Sequence, residues 1–65
     1  MIVVVNEQEV EVDEQTTVAA LLKSLGFPKR GIAVAIDSSV LPRSDWASNL
    51  FEGARVEVVT AVQGG

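Results

Sequence analysis

Met1-Ile2-Val3-Val4-Val5 is apolar at every position. A β-branched run with two apolar faces belongs in the middle of a sheet, or has a second surface to cover. The polar Asn6-Glu7-Gln8 that follows is short enough to be a hairpin connection. Glu9-Val10-Glu11-Val12-Asp13 then alternates strictly, turning Val10 and Val12 to a core and three acids to water. Acids along one face also discourage edge-to-edge pairing with other chains.

The period changes after Thr16 and Thr17, both good N-cap residues. Val18, Leu21, Leu22 and Leu25 fall at i, i+3, i+4 and i+7, one stripe of an amphipathic helix. Lys23 suits the negative pole of its dipole. Gly26 stands where a left-handed residue ends a helix, Phe27 can fold back onto Leu22, and Pro28 prevents the helix from resuming.

Lys29-Arg30-Gly31 reads as a turn, and Ile32-Ala33-Val34-Ala35-Ile36 alternates large with small, a strand with one bulky face. Asp37-Ser38-Ser39 turns the chain into a short strand at Val40-Leu41, ended by Pro42. Ser44 and Asp45 can cap a helical turn carrying Trp46, with Leu50 and Phe51 as further core. Glu52-Gly53-Ala54 leads to a last strand, Arg55 to Thr60. The order β-β-α-β-β-β, with a hairpin packed under one helix, is an α+β arrangement. If the first and last strands pair in parallel at the sheet centre, the helical connection supplies the crossover such strands require. That layout is the β-grasp, or ubiquitin-like, fold: a mixed sheet with one main helix on one face. The expected core joins Leu21, Leu22 and Leu25 to Val10, Val12, Val34, Ile36, Val56 and Val58.

Sixty-five residues make at most one domain, and a chain this short buries only about 60% of its unfolded surface. The sequence holds neither Cys nor His, which excludes disulfide staples, thiolate or imidazole metal sites and nucleophilic triads built on those residues. The run Met1–Val5 falls far short of the ~20 residues of a membrane span. No basic region precedes it, so the expectation is no signal peptide and a cytoplasmic protein. Net charge is −4 and unevenly placed. Glu7, Glu9, Glu11, Asp13 and Glu14 stand in a segment without a base, and the remainder is close to neutral. This argues against nucleic acid, which needs clustered Lys and Arg. The acidic hairpin is either a solvated face that keeps a small domain soluble or a docking face.

The candidate chemistry lies at the end of the chain. Residues 1–61 form the expected domain, and Val62-Gln63-Gly64-Gly65 an expected mobile tail without a periodic apolar face. Strand alternation points Ile2 and Val4 away from the helix, together with Glu57, Val59 and Ala61. These five are a candidate partner-binding patch, expected to gather beside the root of the tail. Trp46 reads as a core lid or a partner contact. Arg43 reads as a partner of Asp45 or of another protein.

The chain resembles the ThiS family of sulfur carriers in thiamine biosynthesis. The likeness is strongest over Val34-Ala35-Ile36-Asp37, over Val40-Leu41-Pro42-Arg43-Ser44-Asp45-Trp46, and from Val56 through Gly64-Gly65. Thr17-Val18-Ala19-Ala20-Leu21-Leu22 is also similar. Two turn positions depart from the usual pattern: Asp37, where Asn is frequent, and Ala54, where Asp is common.

The resemblance implies a carrier and not an enzyme, with no catalytic residue and no metal site of its own. The Gly65 carboxylate would be adenylated by a ubiquitin-activating-like adenylyltransferase of ThiF type, using its own ATP and Mg²⁺. A sulfur donor protein would then convert it to a thiocarboxylate, and a thiazole synthase of ThiG type would draw the sulfur. The residues suit this reading. Gly64 and Gly65 carry no Cβ, so Val62 to Gly65 can enter a narrow active site. The chain has no phosphate-binding Gly-x-x-x-x-Gly-Lys loop and so is expected to bind no cofactor. Alternatives of the same fold are a carrier resembling the molybdopterin-synthase small subunit and a ubiquitin-like protein modifier. A β-grasp interaction domain with an incidental Gly-Gly is a third.

Overall fold

The computed structural model describes residues 1–60. Strands β1 (Ile2–Val5) and β2 (Gln8–Glu11) form the first hairpin, followed by helix α1 (Val18–Ser24). Strands β3 (Ile32–Ile36) and β4 (Ser39–Leu41) form a second hairpin, and β5 (Arg55–Thr60) closes the order. A 3-10 turn at Arg43–Asp45 lies between β4 and β5. The sheet runs β2-β1-β5-β3-β4. β1 and β5 are parallel, and the other neighbours are antiparallel. This is the β-grasp arrangement, with the first and last strands at the centre.

Both hairpins turn on two residues with positive φ: Asn6 and Glu7 in the first, Asp37 and Ser38 in the second. Paired left-handed residues give a turn whose twist matches that of the flanking strands. Asn and Asp tolerate this region better than most residues with a side chain.

The helix is short, and most of the backbone groups at its ends have partners. The Thr17 hydroxyl accepts from the Ala20 N–H at 3.1 Å. The Val18 and Ala19 N–H groups donate to the Ser48 and Trp46 carbonyls, and Leu21 makes the first intrahelical bond, to Thr17. Groups that a helix start leaves unpaired are therefore satisfied by the segment leading to β5. At the other end the Phe27 N–H donates to the Leu22 carbonyl and that of Gly26 to Lys23, with Gly26 at φ +84°. This paired closure needs a left-handed residue, which Gly supplies without strain.

The core between α1 and the sheet contains Val3, Val5, Val18, Leu21, Leu22, Val34, Leu50, Ala54, Val56 and Val58. Val10, Val12 and Ile36, expected inside, are only partly buried at its margin. Val10 lies on an edge strand, and Val12 and Ile36 lie at or beyond strand ends. Leu25 also departs from expectation, being 41% exposed. It follows the last helical residue and lies at the margin of the first hairpin, near Val5, Gln8 and Val10, while Phe27 packs against the core. Phe51 is exposed and Leu50 takes the interior position. Ala54, at the turn into β5, is fully buried.

Candidate functional site

β5 is the strand that leads to the Gly-Gly segment, and it is held on both sides. Along β3 its pairing runs without a break from Ile36↔Val56 to Ile32↔Thr60. Along β1 the strand register covers Val4↔Arg55 and Val5↔Val56, and the Asn6 N–H adds a bond to the Val56 carbonyl. Beyond that point the Asn6 side chain takes over. Its Oδ1 accepts from the Val58 N–H at 2.8 Å, and its Nδ2 donates to the Val58 carbonyl at 3.2 Å. The chain is thus fixed within the sheet up to Thr60. Ala61, Val62, Gln63, Gly64 and Gly65 lie outside the described residues, as do the expected domain boundary after residue 61 and the expected mobility of the tail.

The sheet face opposite α1 is set by strand alternation. Val3, Val5, Val34, Val56 and Val58 face the helix, which leaves the intervening residues on the open face. Reading across the sheet, that face presents Glu9 and Glu11, Ile2 and Val4, Arg55, Glu57 and Val59, Ala33 and Ala35, then Val40. Ile2, Val4, Glu57 and Val59 therefore do share a face, as the alternation requires.

They do not gather at one point. The parallel register sets Val4 beside Arg55, at the start of β5. Val59 is four residues further along, about 13 Å away at the usual rise of a strand. Ile2 lies further still, where its carbonyl accepts from the Gly53 N–H. The expectation that Ile2 and Val4 flank the root of the tail is corrected by this register. Alternation fixes the face of a residue but not its position along a neighbouring strand.

The neighbours of Val59 come from the other side of β5. Val59 pairs with Ala33 and Glu57 with Ala35, and Ala35 pairs in turn with Val40. Val59 is 63% exposed and Val40 79%. Ala33, Ala35 and Val40 are the residues the sequence reading missed. The signal was the small residue at alternate positions of Ile32-Ala33-Val34-Ala35-Ile36, which leaves shallow ground on the face away from the helix.

Arg43 does not pair with Asp45 but lies over the Trp46 ring, 5.3 Å from its centroid. Trp46 is partly buried against the core, and its indole N–H points to the Leu41 carbonyl at 3.4 Å. Arg55 and Glu57 are neighbours along one strand, facing Val4 and Ala35 respectively. Among the described residues no cluster of three or more Asp, Glu, His or Cys side chains is placed to hold a metal ion. No helix among them is long and apolar enough to cross a membrane.

The chain matches the ThiS family over residues 2–65, a span that includes Gly64 and Gly65. Among solved structures it is similar to a crystal structure of the thiamine biosynthesis protein ThiS from Geobacter metallireducens. That similarity has a TM-score of 0.81 at 29% identity and covers 100% of both chains. A solution NMR structure of a thiamine biosynthesis protein from the same organism gives a TM-score of 0.77 at 29% identity, covering 100% of this chain and 88% of that one. Comparison with curated proteins finds no match. A family match over nearly the whole sequence, joined to the same five-stranded fold, makes this chain a member of the ThiS family.

Proposed function

We propose that the protein is a cytoplasmic sulfur carrier whose Gly65 carboxylate is the reacting group, and that the sulfur goes to the thiazole ring of thiamine. The observation that carries this reading is the family match running through Gly64-Gly65, directly downstream of a strand anchored at the sheet centre. The anchored strand gives a partner a rigid body to grip. The two glycines let the backbone pass through a channel too narrow for side chains.

A carboxylate is a poor electrophile. In the proposed sequence the Gly65 carboxylate attacks the α-phosphate of ATP, pyrophosphate leaves, and an acyl-adenylate forms. Hydrosulfide delivered by a donor protein then attacks the acyl carbon, AMP leaves and the S–H proton is lost to water, so that a thiocarboxylate forms with one oxygen exchanged for one sulfur. ATP and Mg²⁺ belong to a partner adenylyltransferase of ThiF type, and a thiazole synthase of ThiG type draws the sulfur. This chain contributes the terminal carboxylate, the slender tail and the open sheet face, and it performs no catalysis of its own.

Intact-mass measurement tests the reading. Incubation with the activating enzyme, ATP and a sulfur donor should raise the mass by the difference between sulfur and oxygen, with fragment ions placing the change on Gly65. Deleting Gly65 or extending the chain beyond it should abolish the gain. A mass change that maps to a side chain, or sulfur uptake by the extended chain, would remove the proposal.

A further inference from the structure

On the helix side of the molecule, away from the open sheet face, a groove of about 450 Å³ runs between α1, the Phe27-Pro28 turn and the 3-10 turn. Its floor is apolar and includes Leu22, Phe27 and Trp46. Its remaining side chains are cationic: Lys23 from the helix, Lys29 from the turn after it and Arg43 from the 3-10 turn. The protein has five basic residues and nine acidic ones, yet three of the bases and none of the acids line this groove. An apolar floor with a wholly cationic border, on a chain of net charge −4, is a local inversion of the molecule's charge.

The Trp46 side of the groove is fixed in place. The Trp46 carbonyl accepts from the Ala19 N–H at 2.9 Å, which ties the residue to the first turn of α1. Arg43 covers one face of the indole and holds its charge at the groove. Trp and Arg are the residue types that most often carry binding energy where a partner seats an anchor in a pocket.

We propose that this groove docks an acidic peptide segment of a partner protein, with an aromatic or branched apolar side chain on the floor and flanking carboxylates on Lys23, Lys29 and Arg43. Charge complementarity selects this occupant. The three cations come from three separate elements around an open groove, which matches carboxylates spaced along a chain. A lone phosphate calls instead for donors converging on one point. A nucleic acid or an anionic membrane carries charge over a wide area, and the acidic hairpin (Glu7, Glu9, Glu11, Asp13, Glu14) would oppose it. A short peptide can be held within the groove itself, whose lining contains none of the acids. The groove lies across the core from the open face, so both surfaces can be engaged together. The inference does not depend on the chemistry proposed for Gly65.

The test is an NMR titration of the full chain, labelled with ¹⁵N, at physiological salt. The probes are a synthetic peptide with a central Phe flanked by Glu residues, a counterpart with Lys in place of Glu, and inorganic phosphate. The Glu peptide should give saturable shifts at the Ala19, Lys23 and Phe27 amides and the Trp46 indole. The Lys23→Glu, Arg43→Glu double variant should weaken binding roughly tenfold, the effect of losing two charge-assisted contacts. Lys29→Glu, outside the helix, should weaken it in the same direction and serves if the double variant does not fold. Equal binding of the Lys peptide, the same shifts from phosphate alone, or no saturable shift with the Glu peptide would overturn the proposal. So would groove shifts that follow the protein's own concentration, since the occupant would then be a second copy.

Discussion

The Asn6 carboxamide pairs with both backbone groups of Val58, a residue 52 positions away. β1 stops at Val5, where the chain turns, while β5 continues to Thr60. The amide thus stands in for the next residue of a strand that is no longer there, and it keeps the Val58 N–H and carbonyl satisfied at the margin of the core. Asp37 does a related task at the other end of β5. Its N–H donates to the Arg55 carbonyl at 2.8 Å, and its Oδ1 accepts from the Arg55 N–H at 2.9 Å. The leading residues of both hairpin turns therefore hold the strand that leads to the tail.

Replacing Asn6 should test that relationship. Asn6→Ala removes both side-chain bonds and places a β-carbon without local polar compensation at φ +47°. A loss of about 2–3 kcal/mol is expected, combining one left-handed residue with a pair of part-buried hydrogen bonds. Asn6→Gly keeps the turn and loses only the bonds, so its urea midpoint should fall between those of wild type and Asn6→Ala. If Asn6→Gly matched wild type, the two bonds to Val58 would carry no stability.

Asp37→Asn should be close to neutral, within about 0.5 kcal/mol, because a carboxamide oxygen accepts the Arg55 N–H as a carboxylate does and Asn favours positive φ. Asp37→Ala should cost about 1–2 kcal/mol through the lost bond and the strained backbone. Thermal melts of the two variants separate these outcomes. An Asn variant as unstable as the Ala variant would mean that the acceptor is not what Asp37 contributes.

The helix and the strand faces were legible in the sequence because their signals are local. The spacing of Val18, Leu21 and Leu22 fixes a helical face, and Gly26 with Phe27 and Pro28 fixes its end. Leu25 was misplaced because a periodic stripe shows the side of a helix and not where the covering surface stops. Ile2 and Val4 were assigned the right face and the wrong end of β5. Their register depends on the turns, the Ile2–Gly53 contact and the Asn6 clamp, all of which join distant segments. The groove at Trp46 was hidden for the same reason, since its cations come from three stretches that approach only in the fold. Gly64-Gly65, the reacting end in the proposed function, was singled out from its sequence alone and lies outside the described residues.

The two leucines should separate sharply on truncation. Leu21 is fully buried, so Leu21→Ala should cost about 2–5 kcal/mol from lost transfer energy and the cavity left behind. Much of a small domain's stability would be removed. Leu25 is 41% exposed, and Leu25→Ala should cost less than about 1 kcal/mol. Urea denaturation of both variants gives the comparison, and equal losses would show that Leu25 is held in the core after all.

Under the proposed function, the open sheet face yields the most direct test of how this chain would meet an activating enzyme. The register places Val59 with Ala33, and Ala35 with Val40, on the tail side of the sheet, while Ile2 lies beside the beginning of β5. An enzyme that takes the tail should grip the nearer group. Val59→Asp and Ala33→Glu should each lower kcat/KM for adenylation roughly tenfold, the effect of placing a charge in a desolvated contact. Val59 is already largely exposed, so Val59→Asp should leave the thermal melt nearly unchanged. Ile2→Ser should change adenylation less than about threefold, well below a single strong contact. Pyrophosphate release with the activating enzyme measures all three. A larger loss from Ile2→Ser than from Val59→Asp would move the contact to the β1 side. No loss from either Val59→Asp or Ala33→Glu would take this face out of the interface.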